Sequence, residues 1–221
     1  MEGDFFMDFS SLNKLMPVLL SGSLETVKLT VTAIIVGCII ALIIAILKIS
    51  SNKVLNCIGA FYTWIFRGTP LLLQLYLFYY GLPAVGLQIT AMQAAILGLS
   101  LNSGAYVAEI IRSGILAIDK GQFEASKALG FTYFQTMKKV ILPQAFRVII
   151  PPMGNEFIAL IKDTSLVSVI TMEELLRKAQ LFVSSSGDPV TPYVITGLIY
   201  LLMTTVFTFL FSRVEKKLSV Y

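Results

Sequence analysis

The sequence predicts an all-α integral membrane protein with five membrane-spanning helices, and three observations carry this prediction. Hydrophobic residues make up 56% of the 221-residue chain, above the roughly 45 to 50% of soluble domains. Charged residues are only 14%, and the mean hydropathy is +0.81. Several charge-free runs are long enough to cross a hydrocarbon core of ~30 Å. We therefore expect a single transmembrane domain over residues 1–221.

The charge-free runs place the spans in order. Nineteen uncharged residues separate Lys28 from Lys48, and 24 separate Asp188 from Arg213. The 41 uncharged residues 68–108 exceed one crossing, and Gly81-Leu82-Pro83 divides them. The fourth span is the weakest by hydropathy because it contains Arg147, two prolines and Glu156. The predicted spans are residues 27–48, 58–80, 88–111, 143–162 and 190–212.

Lysines and arginines predict the orientation. An external N-terminus puts eleven of these residues on the inner side and five on the outer side, as the positive-inside rule requires. The C-terminus is then cytoplasmic. The first eight residues are acidic where a signal peptide would be basic, so we expect no cleaved targeting segment.

Absent residues and motifs exclude several functions. The chain has no histidine, which rules out serine–histidine and zinc–histidine chemistry within it. It has no G-x-x-x-x-G-K-[ST] phosphate loop, and its basic residues form no continuous stripe of the kind that binds nucleic acid. We expect no enzyme, no metal, no cofactor on this chain and no nucleic-acid partner.

The longest inner connection, residues 113–142, predicts two short helices. Residues 122–129 are strong helix formers, and Gly130 follows where a C-terminal cap needs a positive φ. Thr132 and Gln135 match a capping box for a second helix, which we expect to end at Leu142-Pro143. Spacing alone is equally compatible with an ordinary solvated helix pair.

This connection carries a family resemblance. The run Glu124-Ala125-Ser126-Lys127-Ala128-Leu129-Gly130, followed eleven residues later by Ile141-Leu142-Pro143, resembles the EAA loop of membrane subunits of binding-protein-dependent ABC importers. Ser126 departs from the alanine of the loop's name. The resemblance is to the polar amino acid permeases (histidine/glutamate/glutamine/arginine/opine) of the type I fold. It extends to RGTP at 67–70, YYGLP at 79–83, NSGAYVAE at 102–109, GNEF at 154–157 and KDTSL at 162–166.

The resemblance implies the assembly. Two cytoplasmic ATPase subunits would hydrolyse ATP with Mg²⁺, a second permease subunit would complete the pore, and we expect a homodimer. An extracytoplasmic binding protein would deliver the amino acid, and the complex would lie in the inner (plasma) membrane of a prokaryote, in contact with lipid. The residues that would couple the permease to the ATPase are Glu124, Ala125, Ser126, Gly130, Leu142 and Pro143.

Polar residues within the spans are candidates for binding substrate, because each needs a partner or a wet cavity there. Asn102, Tyr106, Glu109 and Ser113 share one helical stripe, although Glu109 could simply pair with Arg112. In the fourth span, Pro151, Pro152 and Gly154 predict an interrupted helix. The predicted substrate-binding residues are Asn102, Ser103, Glu156, Asp163, Thr164 and Ser165.

Glu156 and Asp163 lie seven residues apart on one helical face and would attract a cation, so we expect a cationic amino acid such as arginine, lysine or histidine. In the alternative, Glu156 pairs with Arg67 or Arg147, Asp163 with Lys162 anchors the interface, and the substrate is glutamine, glutamate or cystine. A stand-alone secondary carrier is a further alternative. Residues 171–183 predict an amphipathic outer helix with Glu173 and Glu174 on its polar face. This helix would either cap the entrance beneath the binding protein or pack on the edge of the bundle.

Overall fold

The computed structural model describes residues 12–218, and within that range it is helical with no strand. The all-α prediction is thereby confirmed, while the prediction for the first eight residues lies outside the described range. The helices are α1 Leu12–Ile49, α2 Lys53–Gly68, α3 Leu71–Ala84, α4 Ala91–Leu116, α5 Lys120–Ala128, α6 Tyr133–Thr136, α7 Leu142–Asp163, α8 Leu175–Ser186 and α9 Thr191–Leu218.

Three of these helices, α1, α4 and α9, are long and apolar enough to cross a membrane. Residues 58–80, predicted as one span, fall in two helices, α2 and α3, because the chain is extended at Thr69 (φ −122°, ψ 147°). Pro70 accounts for the break, since the residue before a proline is pushed out of the helical region.

Two π-helical turns occur in the described chain, and each is followed by a Leu-Pro pair. Leu77–Gly81 lies inside α3 and precedes Leu82-Pro83, and Met137–Ile141 joins α6 to α7 and precedes Leu142-Pro143. The prediction that the second loop helix ends at Leu142-Pro143 is therefore wrong. The wider turn, in which Leu142 N–H donates to the Met137 carbonyl, keeps the chain helical into the proline.

The predicted interruption of the fourth span is also misplaced. Helix α7 runs through Pro151 and Pro152 without a break. The change in backbone comes later, where a 3₁₀-helix, Thr164–Ile170, ends at Thr171 with φ +67°. The prolines cost α7 two backbone hydrogen bonds but leave its φ values helical, because proline itself favours φ near −65°.

The described chain divides into two compact units. Unit one contains residues 12–33, Leu71–Leu99 and Leu160–Val206. Leu15 and Leu19 of α1 are fully buried there against Leu175 and Ala179 of α8. Helix α8 thus packs its apolar face on α1.

Glu174 of unit one is fully buried, so its predicted place on a polar face is wrong. Its carboxylate accepts hydrogen bonds from the backbone N–H groups of Leu176 (2.8 Å) and Arg177 (2.7 Å) and from the Tyr200 hydroxyl (2.8 Å). Burial raises the pKa of Glu174, and these three donors oppose the rise. Glu174 is the N-cap that starts α8 at Leu175 instead of Thr171.

Unit two contains Ile34–Pro70, Ser100–Ala159 and the described part of the chain after Phe207. Its helices α1 and α4 approach closely at two glycines. A Cβ on Gly37 would lie 3.2 Å from the Ser100 carbonyl oxygen, and one on Gly104 would lie 3.1 Å from the Gly37 carbonyl oxygen. A larger residue at either position would push the two helices apart.

Candidate functional site

The first candidate site is the connection between α4 and α7, which is rigidly built for a surface segment. Asp119 caps the start of α5 by accepting a hydrogen bond from Gly121 N–H (2.7 Å). Gly130 has φ +78°. The N–H groups of Gly130 and Phe131 donate to the carbonyls of Lys127 and Ser126, both at 3.0 Å. This is a Schellman motif, and it confirms the predicted reversal at Gly130.

The second half of the connection begins with the predicted capping box. Thr132 Oγ1 accepts from Gln135 N–H at 3.3 Å, and Gln135 Oε1 accepts from Thr132 N–H at 2.9 Å. Phe123 of α5 packs on the apolar cluster of Ile115, Ile141 and neighbouring residues. The connection is therefore anchored to unit two at its centre and capped at both helix starts.

This connection exposes a charge together with large apolar side chains. Glu124 is exposed, and Leu129, Tyr133 and Phe134 are 76%, 68% and 72% exposed. We call these four residues the exposed loop surface. Large apolar side chains that are this exposed, on a segment that also carries polar groups, are typical of a surface that binds another protein.

The other predicted coupling residues differ in exposure. Ala125, Gly130 and Pro143 are exposed, Leu142 is half-buried and Ser126 is buried. The Ser126 hydroxyl donates to the Gln122 carbonyl at 2.7 Å, so its polar group is satisfied within α5. A serine at this position therefore keeps the small size that the alanine of an EAA motif has.

Three of the predicted substrate-binding residues lie in unit two. Asn102 is buried, and its Nδ2 donates to the Phe66 carbonyl at 2.9 Å, which ties α4 to α2. Ser103 is 1% exposed and faces Gly37 of α1. Glu156 is half-buried on α7. Asn102 and Ser103 thus contact neighbouring helices within this unit.

The other three, Asp163, Thr164 and Ser165, lie in unit one at the junction of α7 with the 3₁₀-helix. The Thr164 and Ser165 hydroxyls donate to the carbonyls of Ile161 and Lys162, each at 2.6 Å. Thr164 is fully buried and Ser165 half-buried, so of the two only Ser165 is open to a ligand. Because its proton is used within the helix, the Ser165 oxygen can act only as an acceptor in this arrangement. That chemistry suits an ammonium group better than a carboxylate.

An ion cluster in unit two was only partly predicted. Glu109 pairs with Arg112 (Nη2 to Oε2, 3.0 Å), as the simpler alternative for Glu109 expected. It also pairs with Lys48 of α1 and lies 3.8 Å from Arg67 of α2. The Arg67 guanidinium in addition lies 5.2 Å from the centre of the Tyr106 ring. The Glu109 carboxylate is therefore the shared counter-ion of cations on three helices, α1, α2 and α4.

Sequence reasoning missed the contacts of Lys48 and Arg67 with Glu109. In the sequence analysis, Lys48 is the charge that ends the first span and Arg67 is an alternative partner of Glu156. The local signal for the cluster was the three-residue spacing of Glu109 and Arg112, whereas the partners on α1 and α2 are 61 and 42 residues away in sequence. Cations at such distances cannot be assigned to a carboxylate without the packing of the helices.

Comparison with known proteins places the chain in a family. Residues 18–220 match the model of the binding-protein-dependent transport system inner membrane component. The chain belongs to this family, and the resemblance predicted from the EAA-like loop is confirmed. It is a membrane protein of the ABC importer permease class, whose permease subunits are not themselves enzymes.

Individual relatives are similar over nearly the whole chain. The arginine transport system permease protein ArtQ of Bacillus subtilis (strain 168) is 44% identical over 96% of this chain and 98% of its own length. The L-cystine transport system permease protein TcyB of the same organism is 41% identical over 93% of this chain and 88% of its own length. A solved chain from a crystal structure of an amino acid ABC transporter with histidines has 43% identity and a TM-score of 0.92, with 96% of this chain and 99% of that chain covered.

Proposed function

We propose that this chain is the transmembrane permease subunit of an ATP-driven importer of polar amino acids, with cationic amino acids as its substrates. The observation that carries the proposal is the exposed loop surface. Its carboxylate and three large apolar side chains stand on a segment that is capped at both helix starts and reversed at a glycine. Such a segment can transmit the movement of a bound partner because it resists local deformation.

The partner that this loop would bind is an ATPase. The chain contains no phosphate-binding loop of its own, so ATP and Mg²⁺ would bind to separate subunits. We propose two ATPase subunits, a second copy of this permease and an extracytoplasmic binding protein as the complete machine. The family to which the chain belongs is described by its dependence on a binding protein, which supports this assembly.

For the membrane topology, we propose five spans in one domain, with the N-terminus outside and the C-terminus inside. The three long apolar helices supply three spans. Helices α2 and α3 together would supply the second span in chain order, and α7 the fourth. The excess of basic residues in the connection between α4 and α7 supports a cytoplasmic location for the exposed loop surface. The description of the family as an inner membrane component supports a location in that membrane.

For the substrate, we propose arginine, lysine or histidine. Glu156 and Asp163 would attract the side-chain cation, and the Ser165 oxygen, beside the buried Thr164, would accept from the α-ammonium group. A relative named for arginine transport and a solved transporter with histidines are consistent with a cationic substrate. The relative named for cystine transport is consistent with the alternative substrates, glutamine, glutamate and cystine.

Reconstitution tests the proposed function. The chain is placed in liposomes with its ATPase and binding protein, and ATP hydrolysis is measured over a panel of amino acids. We expect arginine, lysine or histidine to stimulate hydrolysis and ATP to be required for uptake. Stimulation by glutamine or cystine alone would support the alternative substrate class. Uptake that proceeds without ATP or ATPase would identify a secondary carrier and refute the proposal.

A further inference from the structure

A groove runs along unit two on the side where α1, α4, α7 and α9 meet. Its first part is a cavity of about 330 Å³ whose lining is apolar apart from the Cys38 thiol, with Met153 and Phe211 among the side chains that line it. Its second part is a cavity of about 830 Å³. The two cavities share Leu42, Ile111 and Leu142, so they adjoin and form one groove.

The two ends of this groove differ in polarity. The first cavity has no hydroxyl or charged side chain in its lining, whereas the second includes the hydroxyls of Ser50, Ser51 and Tyr133. The groove therefore changes from apolar to polar along its length, and its polar end lies where the connections after α1 and before α7 begin. An occupant that fills the whole groove must be amphiphilic.

The polar end is flanked by positive charge. Residues 45–56 and 131–147, which border it, carry the exposed lysines Lys53, Lys138 and Lys139 and contain no carboxylate. Lys48 of the first segment is already paired with Glu109 of α4. Lys138 and Lys139 are exposed on the π turn that also carries the lining residue Met137. The local charge therefore complements an anionic head group.

An amino acid fits the groove less well, because it would bring a carboxylate and an ammonium group into an apolar lining that offers no partner for either. A single hydrocarbon chain is thin enough and apolar enough to enter.

We propose that this groove binds an anionic phospholipid, with one acyl chain in the apolar cavity and the head group at the lysine-flanked polar end. The bound lipid would touch α1 on one side and the segment Tyr133–Met137 on the other, and that segment includes part of the exposed loop surface. The lipid would thus stabilise the position of the loop against α1. This inference depends on membrane insertion and is independent of which amino acid is transported.

Photo-crosslinking tests the proposal. The full-length chain is reconstituted in vesicles of phosphatidylcholine and phosphatidylglycerol that contain a phosphatidylglycerol probe with a diazirine on its acyl chain, and labelled peptides are mapped by mass spectrometry. The Leu42→Trp variant places an indole where the two cavities join. Ile43→Trp is the matched control, because Leu42 and Ile43 are adjacent and 54% and 56% exposed, but only Leu42 lines the groove.

We expect labelling of peptides that contain Cys38 and Met153, at least a fivefold loss in Leu42→Trp and no loss in Ile43→Trp. Replacing Lys138 and Lys139 by glutamine should reduce the preference for phosphatidylglycerol over a phosphatidylcholine probe several-fold, whereas the same change at Lys216 and Lys217 should not. Equal labelling in the two tryptophan variants would mean general contact with bilayer lipid and would overturn the proposal. Absence of labelling at the peptides that contain Cys38 and Met153, as when a second protein chain fills the groove, would also overturn it.

Discussion

Substitution of Gly130 by valine tests whether the reversal after α5 transmits force. Gly130 has φ +78°, and no atom outside its chain neighbours lies within 4 Å of the position that a Cβ would take. A side chain would therefore meet no steric obstacle, and the whole cost of the substitution is conformational. We expect Gly130→Val to insert normally into the membrane and to uncouple ATP hydrolysis from transport.

The magnitude follows from the backbone conformation. An L-residue in the left-handed region costs about 1 to 2 kcal/mol, and a β-branched residue lies at the upper end of that range or above it. Since about 1.4 kcal/mol corresponds to a factor of ten, the population of the native reversal should fall roughly 5- to 30-fold relative to alternative loop conformations. Unit two is held by packing elsewhere, so its thermal unfolding should change little.

Gly187 provides a matched control for this experiment. It also follows a helix, α8, with φ +73° and open space around its Cβ position, but it lies in the connection to α9. Gly187→Val should carry a similar backbone cost and leave coupling intact. Gly130→Asn should restore much of the coupling, because asparagine tolerates positive φ.

The assay is transport and ATP hydrolysis measured on the same proteoliposomes. Transport by Gly130→Val equal to that of the unmodified chain, with normal ATPase binding, would refute the reasoning. An equal loss of coupling in Gly187→Val would refute it as well, because the effect would then report backbone strain in general.

Three further predictions concern buried or half-buried carboxylates. Glu174→Ala should destabilise the protein by about 2 to 4 kcal/mol, because α8 loses its cap and the buried donors lose their acceptor. The loss should appear as a lower unfolding temperature in detergent. The neighbouring control, Glu173→Ala, should change the stability by less than about 0.5 kcal/mol. Glu109→Gln should destabilise the protein by about 1 to 3 kcal/mol, because the cations around it lose their counter-ion. If the losses of stability in Glu109→Gln and Lys48→Met simply add in the double variant, the two residues do not interact and the prediction is wrong. Glu156→Gln should reduce arginine uptake roughly 5- to 150-fold, because removal of the charge costs a net binding free energy of about 1 to 3 kcal/mol. Glutamine uptake should fall much less. Equal losses for both amino acids would reject Glu156 as a selectivity residue.

Local sequence patterns predicted the reversal at Gly130 and the capping box of Thr132 and Gln135. Both features depend on residues within one or two helical turns, so the chain carries the whole signal. Composition and charge-free runs predicted helices in a membrane for a similar reason, since every part of a span must be apolar. Family motifs in the same loop then pointed to the class of protein.

Proline positions misled the sequence analysis at two places. Pro143 was expected to end a helix, but the π turn at Met137–Ile141 keeps the chain helical although Pro143 has no backbone N–H to donate. Pro151 and Pro152 were expected to interrupt α7, but the helix continues to Asp163. Whether a proline breaks a helix depends on how neighbouring turns and packing accommodate it, and a single sequence does not contain that information.

Contacts between side chains that lie far apart in the sequence could not be predicted from it either. The carboxylate of Glu174 looked like part of a polar face, yet it meets the Tyr200 hydroxyl 26 residues further on. Glu109 likewise meets Lys48 and Arg67 only because α1, α2 and α4 pack together within unit two. A carboxylate's environment is a tertiary property, so its role cannot be assigned from helical periodicity alone.

The most direct test of the central claim is whether the exposed loop surface binds an ATPase. Tagged Glu124→Arg and Glu173→Arg variants are solubilised in detergent, and the ATPase recovered with each is quantified. Both glutamates are exposed and the charge change is identical, but Glu173 precedes α8, which we place on the opposite side of the membrane. We predict that Glu124→Arg recovers much less ATPase than the unmodified chain and that Glu173→Arg recovers the normal amount. Undiminished recovery with Glu124→Arg would contradict the claim that this glutamate faces the ATPase.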